Sequence, residues 1–302
     1  MLQLLIKSFT MHCRLLASIF FSLCVSGCAL PAATDVSVHP EDFKIEVAYQ
    51  RDLQGIFVDL YWGSQRIKHT LLWDNHSPTW ANGTVIDKNA SIAKLDSYSY
   101  KTTTADGASI KGDVYLCDRI FFGGIELQDV QFYNISDEID GVLGDNIISK
   151  GVWKIDFSKE TLTFASSSDS IEELRLMERL PAKFSSGGIL IDVSFRNNIV
   201  KNVQLDLGFN GGILLPPKTF RQVAKGNSKF YKDSLRFSTP SHATIIEATH
   251  VLDTFKINRN QFSTLISSNE QARESLIGLG FFGQFRYVVI DYLNKAVYIQ
   301  RR

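Results

Sequence analysis

Asp140-Gly141-Val142-Leu143-Gly144-Asp145, running on to Val152-Trp153-Lys154-Ile155-Asp156-Phe157, is echoed late in the chain by Ile277-Gly278-Leu279-Gly280, running on to Tyr287-Val288-Val289-Ile290-Asp291-Tyr292. In both copies a hydrophobic-Gly turn leads into an apolar strand that closes on Ile-Asp-aromatic. The echo extends upstream. Gly55-Ile56-Phe57-Val58-Asp59-Leu60, Ile67 and Leu71-Leu72-Trp73-Asp74 match Gly188-Ile189-Leu190-Ile191-Asp192-Val193, Ile199 and Val203-Gln204-Leu205-Asp206. In this register Val142-Leu143-Gly144 corresponds to Gly278-Leu279-Gly280. An internal repeat of this length predicts two similar lobes, each bringing one carboxylate, Asp74 or Asp206, to a shared centre. Two acids held close share one proton and polarise a water between them.

These segments resemble the closing part of retropepsin-like aspartic proteases, and two such lobes in one chain resemble the pepsin arrangement. The resemblance runs from about Ile45 to Arg302. It implies an all-β fold of two acid-protease β-barrel lobes related by a pseudo-twofold, with few short helices. It also implies Asp74 and Asp206 as the catalytic pair of an aspartic-type peptidase, a peptide or protein substrate, and no cofactor. The family's Asp-Thr/Ser-Gly loop is altered in both lobes. One reads Asp74-Asn75-His76-Ser77, the other Asp206-Leu207-Gly208-Phe209. In the family the Thr hydroxyl bonds across to the other loop; Asn75 has the groups to replace it and Leu207 has none. The family's Gly lets the loops approach closely; Gly208 keeps this, while His76 adds a side chain. A protonated His76 beside the acids favours their ionised forms. Ser77 falls where the family often places a hydroxyl that bonds the catalytic carboxylate. Two functions follow: an aspartic endopeptidase with altered pH dependence, or a catalytically inactive relative that binds peptides or proteins. Retention of both Asp residues favours the first, since a buried acid pair is costly to keep. Loss of a cross-bonding group at Leu207 favours the second.

Composition sets the frame around this centre. The 302 residues give room for two domains, each with its own core. The formal net charge is zero, with acids and bases interspersed, which argues against nucleic acid as a partner. Lys7 and Arg14 flank the start of an apolar run, Leu15 to Val25, too short to span a bilayer as a helix. It ends Val25-Ser26-Gly27-Cys28, which resembles the bacterial lipobox and implies a signal peptide over 1–27 and lipidation of Cys28. A plain signal peptide with a chance Cys is the other reading, and Met11 offers a second start. By the same resemblance the chain is a cell-envelope lipoprotein, and Ala29 after the lipidated Cys implies the outer membrane, on its periplasmic or surface side, if the organism is Gram-negative. With Cys13 and Cys24 removed and Cys28 acylated, Cys117 remains alone in an apolar-polar strand pattern, as a buried inert thiol. His69, His76, His242 and His250 show no metal-ligand spacing, so no metal site is expected. No phosphate-cradling Gly loop and no Gly-x-Ser-x-Gly elbow occur.

The organisation expected is a tether over 28–42, a first lobe over 43–164, a linker over 165–187 and a second lobe over 188–302. Helical spacing with paired charges marks Ile171 to Leu180, and further helices are expected at Pro217 to Ala224 and Gln261 to Ser268. Each lobe has a candidate flap hairpin. Tyr98–Thr104 and Ala108–Leu116 flank the turn pair Asp106-Gly107, and Leu235–Ser238 and Ala243–Thr249 flank Thr239-Pro240-Ser241-His242. Asp59 with Asp192, and Asp156 with Asp291, also occupy equivalent places and read as strand-edge or turn acids.

Overall fold

The computed structural model describes residues 18–19, 35–51, 55–103, 109–196, 198–225, 230–239 and 242–302. Cys28, the first half of the expected tether, nearly all of the expected signal peptide, and the turn residues Asp106, Gly107, Pro240 and Ser241 lie outside the described residues.

Period-two burial makes the strands. Gly188–Phe195 sends Ile189, Ile191, Val193 and Phe195 inward in strict alternation. Ile125–Asn134 buries Ile125 and Leu127, then Val130 and Phe132: Asp129 takes a left-handed φ of 56° and switches the phase of the alternation, while the pairing with the neighbouring strand stays in register. In the first lobe Ile56–Trp62, Ile67–Trp73, Gly141–Leu143, Trp80–Ala81, Ile125–Asn134 and Ser109–Phe122 pair in that order, and the last closes back on the first. In the second lobe the ring runs Gly188–Phe195, Asn198–Asp206, Leu276–Gly278, Ile213–Leu214, Asn260–Asn269 and His242–Ile257, and closes the same way. The two rings repeat each other strand for strand, parallel pairs included. The all-β, two-lobed fold expected from the repeat is present.

Beneath both rings lies a six-stranded sheet in the order Glu178–Leu180, Ala296–Arg301, Phe285–Asp291, Val152–Asp156, Thr161–Ala165 and Lys44–Ala48. Its central pair is antiparallel, with Ile155 opposite Val288, and joins the lobes covalently distant from one another into one sheet. Trp153 stacks on Phe164 at 4.1 Å and meets Trp73 at 5.6 Å, so the strand that delivers Asp74 rests on this floor. In the second lobe Phe281 bridges ring and floor, against Phe255 of the ring at 5.3 Å and Phe285 of the floor at 5.2 Å. Asp156 and Asp291 cap the turns that follow their strands, accepting from Ser158 and Lys159 amides and from the Asn294 amide. Asp59 and Asp192 tie neighbouring strands through Thr70 and the Asn202 amide. All four acids are structural.

The structure corrects several expectations. Gln261–Ser268 lies within a strand, because Phe262, Thr264 and Ile266 alternate inward and are held between two neighbouring strands. Ile171–Leu180 is a 3₁₀ turn over Glu172–Leu176 followed by a strand, Glu178–Leu180. Its apolar residues Ile171, Leu174 and Met177 are three apart, the period of a 3₁₀ helix, and pack together under the sheet. The region assigned as a linker therefore supplies a strand to the shared sheet, and Ala182–Ser185 pairs within the second lobe. The tether ends early: Val36 is buried and Ser37–His39 adds a strand to the first lobe. Helix Pro217–Val223 matches expectation, with Pro217 at its first turn. Both candidate flaps are hairpins, Ile92–Thr103 with Ser109–Phe122 and Phe230–Thr239 with His242–Ile257.

Candidate active site

Asp74 and Asp206 each follow the last residues of an apolar strand that runs parallel to a short three-residue strand, Gly141–Leu143 or Leu276–Gly278. Those short strands end at Gly144 and Gly278, and both glycines are forced by close backbone approach. A Cβ at Gly144 would lie 2.3 Å from the Ser77 carbonyl oxygen, and one at Gly278 2.2 Å from that of Phe209. The next amides complete the match: Asp145 N–H donates to Ser77 and Leu279 N–H to Phe209, at 2.8 and 2.7 Å. Gly278, and not Gly280, is therefore the partner of Gly144. The second connection is longer by two residues, which shifts the correspondence read from sequence.

The two loops meet. The Asn75 amide donates to the Leu205 carbonyl at 3.0 Å, and its oxygen accepts the Leu207 N–H at 2.8 Å. One side chain thus holds the backbone on both sides of Asp206. Leu207 returns no polar contact and is buried in the apolar core, so the cross-brace runs one way. His76 keeps the amide donation that a glycine would make, its N–H reaching Asp74 Oδ1 at 2.8 Å. Gly208 is where the carboxyl of Asp74 rests: a Cβ there would come 2.3 Å from Asp74 Oδ2. Ser77 departs from expectation. Its hydroxyl donates to the Pro78 carbonyl at 3.1 Å and not to Asp74, because the loop turns at Pro78.

Asp74 and Asp206 are 2% and 0% exposed, and each carboxyl lies close enough to act on the other's proton affinity. Burial and then the charge of Asp206 hold Asp74 well above the ordinary carboxylate range. Burial also raises Asp206, but the charge of His76, the amides of Phe209 and Gly208, and the Asp74 proton pull it down. Both acids are thus held above the ordinary carboxylate range by burial, and the pair retains a proton where an exposed carboxyl would have lost it. Asp206 Oδ1 accepts the Phe209 N–H at 3.0 Å, while Oδ2 is buried without a hydrogen bond of ordinary geometry.

A cavity of about 730 Å³ opens between the lobes next to this pair. Asn75 and His76 form part of its wall, together with Asp145, Glu274 and Tyr292. The sequence alone did not single out Asp145 or Glu274. A signal existed for Asp145, since the repeat places apolar Leu279 at its equivalent position. Two other histidines are engaged elsewhere, His69 with Asp140 at 3.1 Å and His250 with Ser267 at 2.8 Å. Cys117 is buried, which pushes its thiol up to about 11. No group of three or more His, Cys, Asp or Glu suited to a metal comes together among the described residues.

No protein-family model and no curated protein matches the chain. Solved structures do. An aspartic proteinase from Irpex lacteus superposes with a TM-score of 0.58 at 18% identity, over 86% of this chain and 97% of that one. Conglutin gamma, a basic 7S globulin from lupine seeds, superposes with a TM-score of 0.57 at 10% identity, over 86% of this chain and 95% of that one. At such identities the likeness establishes the fold, the two-lobed architecture of the pepsin-like aspartic proteases.

Proposed function

We propose that this chain is an aspartic-type peptidase that hydrolyses peptide bonds with a water activated between Asp74 and Asp206. The observation that carries the reading is the meeting of the two buried acids where the loops cross: Asp74 rests on Gly208 and accepts the His76 amide, and Asp206 accepts the Phe209 amide. Asp206 takes a proton from water as the water oxygen attacks the scissile carbonyl, and Asp74 gives its proton to the carbonyl oxygen. Asp206 then passes its new proton to the leaving nitrogen, and the collapsing gem-diol returns one to Asp74. An enclosed, low-dielectric site strengthens these transfers. The substrate lies extended between the flap hairpins and the loops.

The one-way brace and the near-complete burial of both carboxyls favour a second reading, a peptide-binding module without turnover. A seed globulin with the same fold makes that alternative concrete. Asp206→Asn separates them. In a peptidase it abolishes cleavage of an unfolded protein at mildly acid pH while the far-ultraviolet spectrum stays unchanged. Wild-type protein that binds peptides but turns none over from acid to neutral pH establishes the module.

The lipobox-like Val25-Ser26-Gly27-Cys28 supports an envelope location, with the fold anchored by lipid at Cys28 to the outer membrane in a Gram-negative cell. Labelled fatty acid should mark wild-type protein and miss Cys28→Ser; equal labelling of both refutes the anchor.

A further inference from the structure

We propose that the cavity beside Asp74 receives a lysine or arginine side chain of the bound peptide, and that Asp145 selects it. The identity of the ligand as a peptide rests on the function proposed above. The pocket's chemistry stands on its own residues.

Asp145 opens the short helix Asp145–Ile148 and is exposed to the cavity. Among the described residues it forms no ion pair, and the concave wall crowded around its carboxyl raises its pKa. Across the cavity stands Glu274, with its carboxylate 4.0 Å from His76 Nε2 and its side chain 48% exposed. The Tyr292 hydroxyl, on the same lining, is buried beside the Asn75 side chain, its hydrogen-bonding neighbour. It lies close enough to Asp145 to feel that carboxylate's charge. Phe184 meets the Tyr292 ring edge-on at 5.7 Å and extends an apolar and aromatic wall.

Those features fit one class of guest. A long apolar stem can lie along Phe184 and Tyr292, as lysine and arginine stems do on apolar surface, with the charged head near aromatic faces and acids. The head then donates to Asp145 and to the Tyr292 hydroxyl. An uncharged side chain of equal length would leave the Asp145 carboxylate without a partner, and sites built on hydrogen-bonding groups discriminate strongly against guests that cannot satisfy them. Gly188 lies on the same lining, where a Cβ would meet the Gln204 amide group at 2.2 Å and His76 Nδ1 at 3.2 Å, so this stretch of wall is backbone packed against side chains. About 730 Å³ exceeds one side chain and accommodates backbone as well.

The test uses fluorescein-labelled alanine-rich decapeptides that differ at one position, carrying lysine, arginine or norleucine, scanned along the peptide. Binding is measured by anisotropy to Asp206→Asn protein, so no turnover is needed, and cleavage is measured separately with wild type. We expect one position at which lysine or arginine binds about tenfold tighter than norleucine. Adding Asp145→Asn should cut that preference to about twofold or less, and adding Asp145→Lys should turn it towards glutamate. Thermal melts check that each variant is folded. The proposal is overturned if no position prefers a cation, if the preference survives Asp145→Asn, or if no peptide binds. A preference that depends on Asp145 without cleavage by wild type leaves the pocket standing and removes the peptidase reading. Cleavage that ignores charge does the reverse.

Discussion

Replacing Asn75 by alanine tests the one-way brace directly. The side chain is buried and makes two hydrogen bonds across the lobes, to the Leu205 carbonyl at 3.0 Å and from the Leu207 N–H at 2.8 Å. Asn75→Ala strands the Leu207 amide, at a cost of about 1–3 kcal/mol, and removing the donor from Leu205 adds about 1 kcal/mol. The expected loss is about 2–4 kcal/mol, which for a chain of this size lowers Tm by roughly 3–7 °C. Differential scanning calorimetry and urea melts measure it, with equal m values required for a like-for-like comparison. Activity should fall further than stability, through kcat, because the bonds flank Asp206 and set its position against Asp74. Asn75→Thr, which keeps a donor and an acceptor on a shorter stem, should recover part of both losses. A variant within about 0.5 kcal/mol of wild type, the range of an ordinary surface change, would show that the loops are held together by something other than Asn75.

Three further outcomes follow from the same site. Gly208→Ala drives a methyl to within 2.3 Å of Asp74 Oδ2, so peptidase activity should drop at least about a hundredfold while the barrels persist by circular dichroism; retained activity would mean that Asp74 is not seated there when it works. His76→Gly removes a charge that lowers both acids, so the activity–pH profile should move to higher pH, most on its acid limb where the imidazole is charged; an unmoved or acid-shifted profile contradicts this. Asp74 binds its proton more tightly folded than unfolded, so the stability it contributes is complete below about pH 4 and is lost as pH rises through its raised folded value. Asp74→Asn should therefore flatten the fall of Tm with pH and be the more stable protein at pH 7, and parallel Tm–pH curves for the two proteins would refute that sign.

Much of this architecture was legible in the chain because alternation and repetition are local signals. Ile189, Ile191, Val193 and Phe195 announce a half-buried strand without reference to anything distant. Asp74 and Asp206 stand out because matching strands precede them. Errors arose where position depends on partners elsewhere in the chain. Gln261–Ser268 has apolar residues compatible with either period, and only the flanking strands decide it. The spacing of Ile171, Leu174 and Met177 was read as an α-helix although three-residue intervals suit a tighter coil. Equating Gly144 with Gly280 makes the second connection four residues longer than the first, whereas the backbone contacts show a difference of two. The Ser77 hydroxyl could not be oriented from sequence, because the turn at Pro78 directs it. Asp145, Glu274 and Tyr292 converge from separate segments, and only the folded chain puts them on one cavity wall.

The six-stranded floor has a consequence for anyone who would cut the molecule in two. Opening the chain between the strands Thr161–Ala165 and Glu178–Leu180 yields two halves, each retaining a ring and three strands of the floor. The first half would expose Val152–Asp156, which is buried along its whole length, and the second would expose Phe285–Asp291. Unpaired, largely apolar edges recruit other strands. Fragments produced together would therefore find each other and rebuild the seam. Either fragment made alone would reach for a second copy of itself across the same pseudo-twofold, so this sheet behaves as a latent dimer interface written into a single chain.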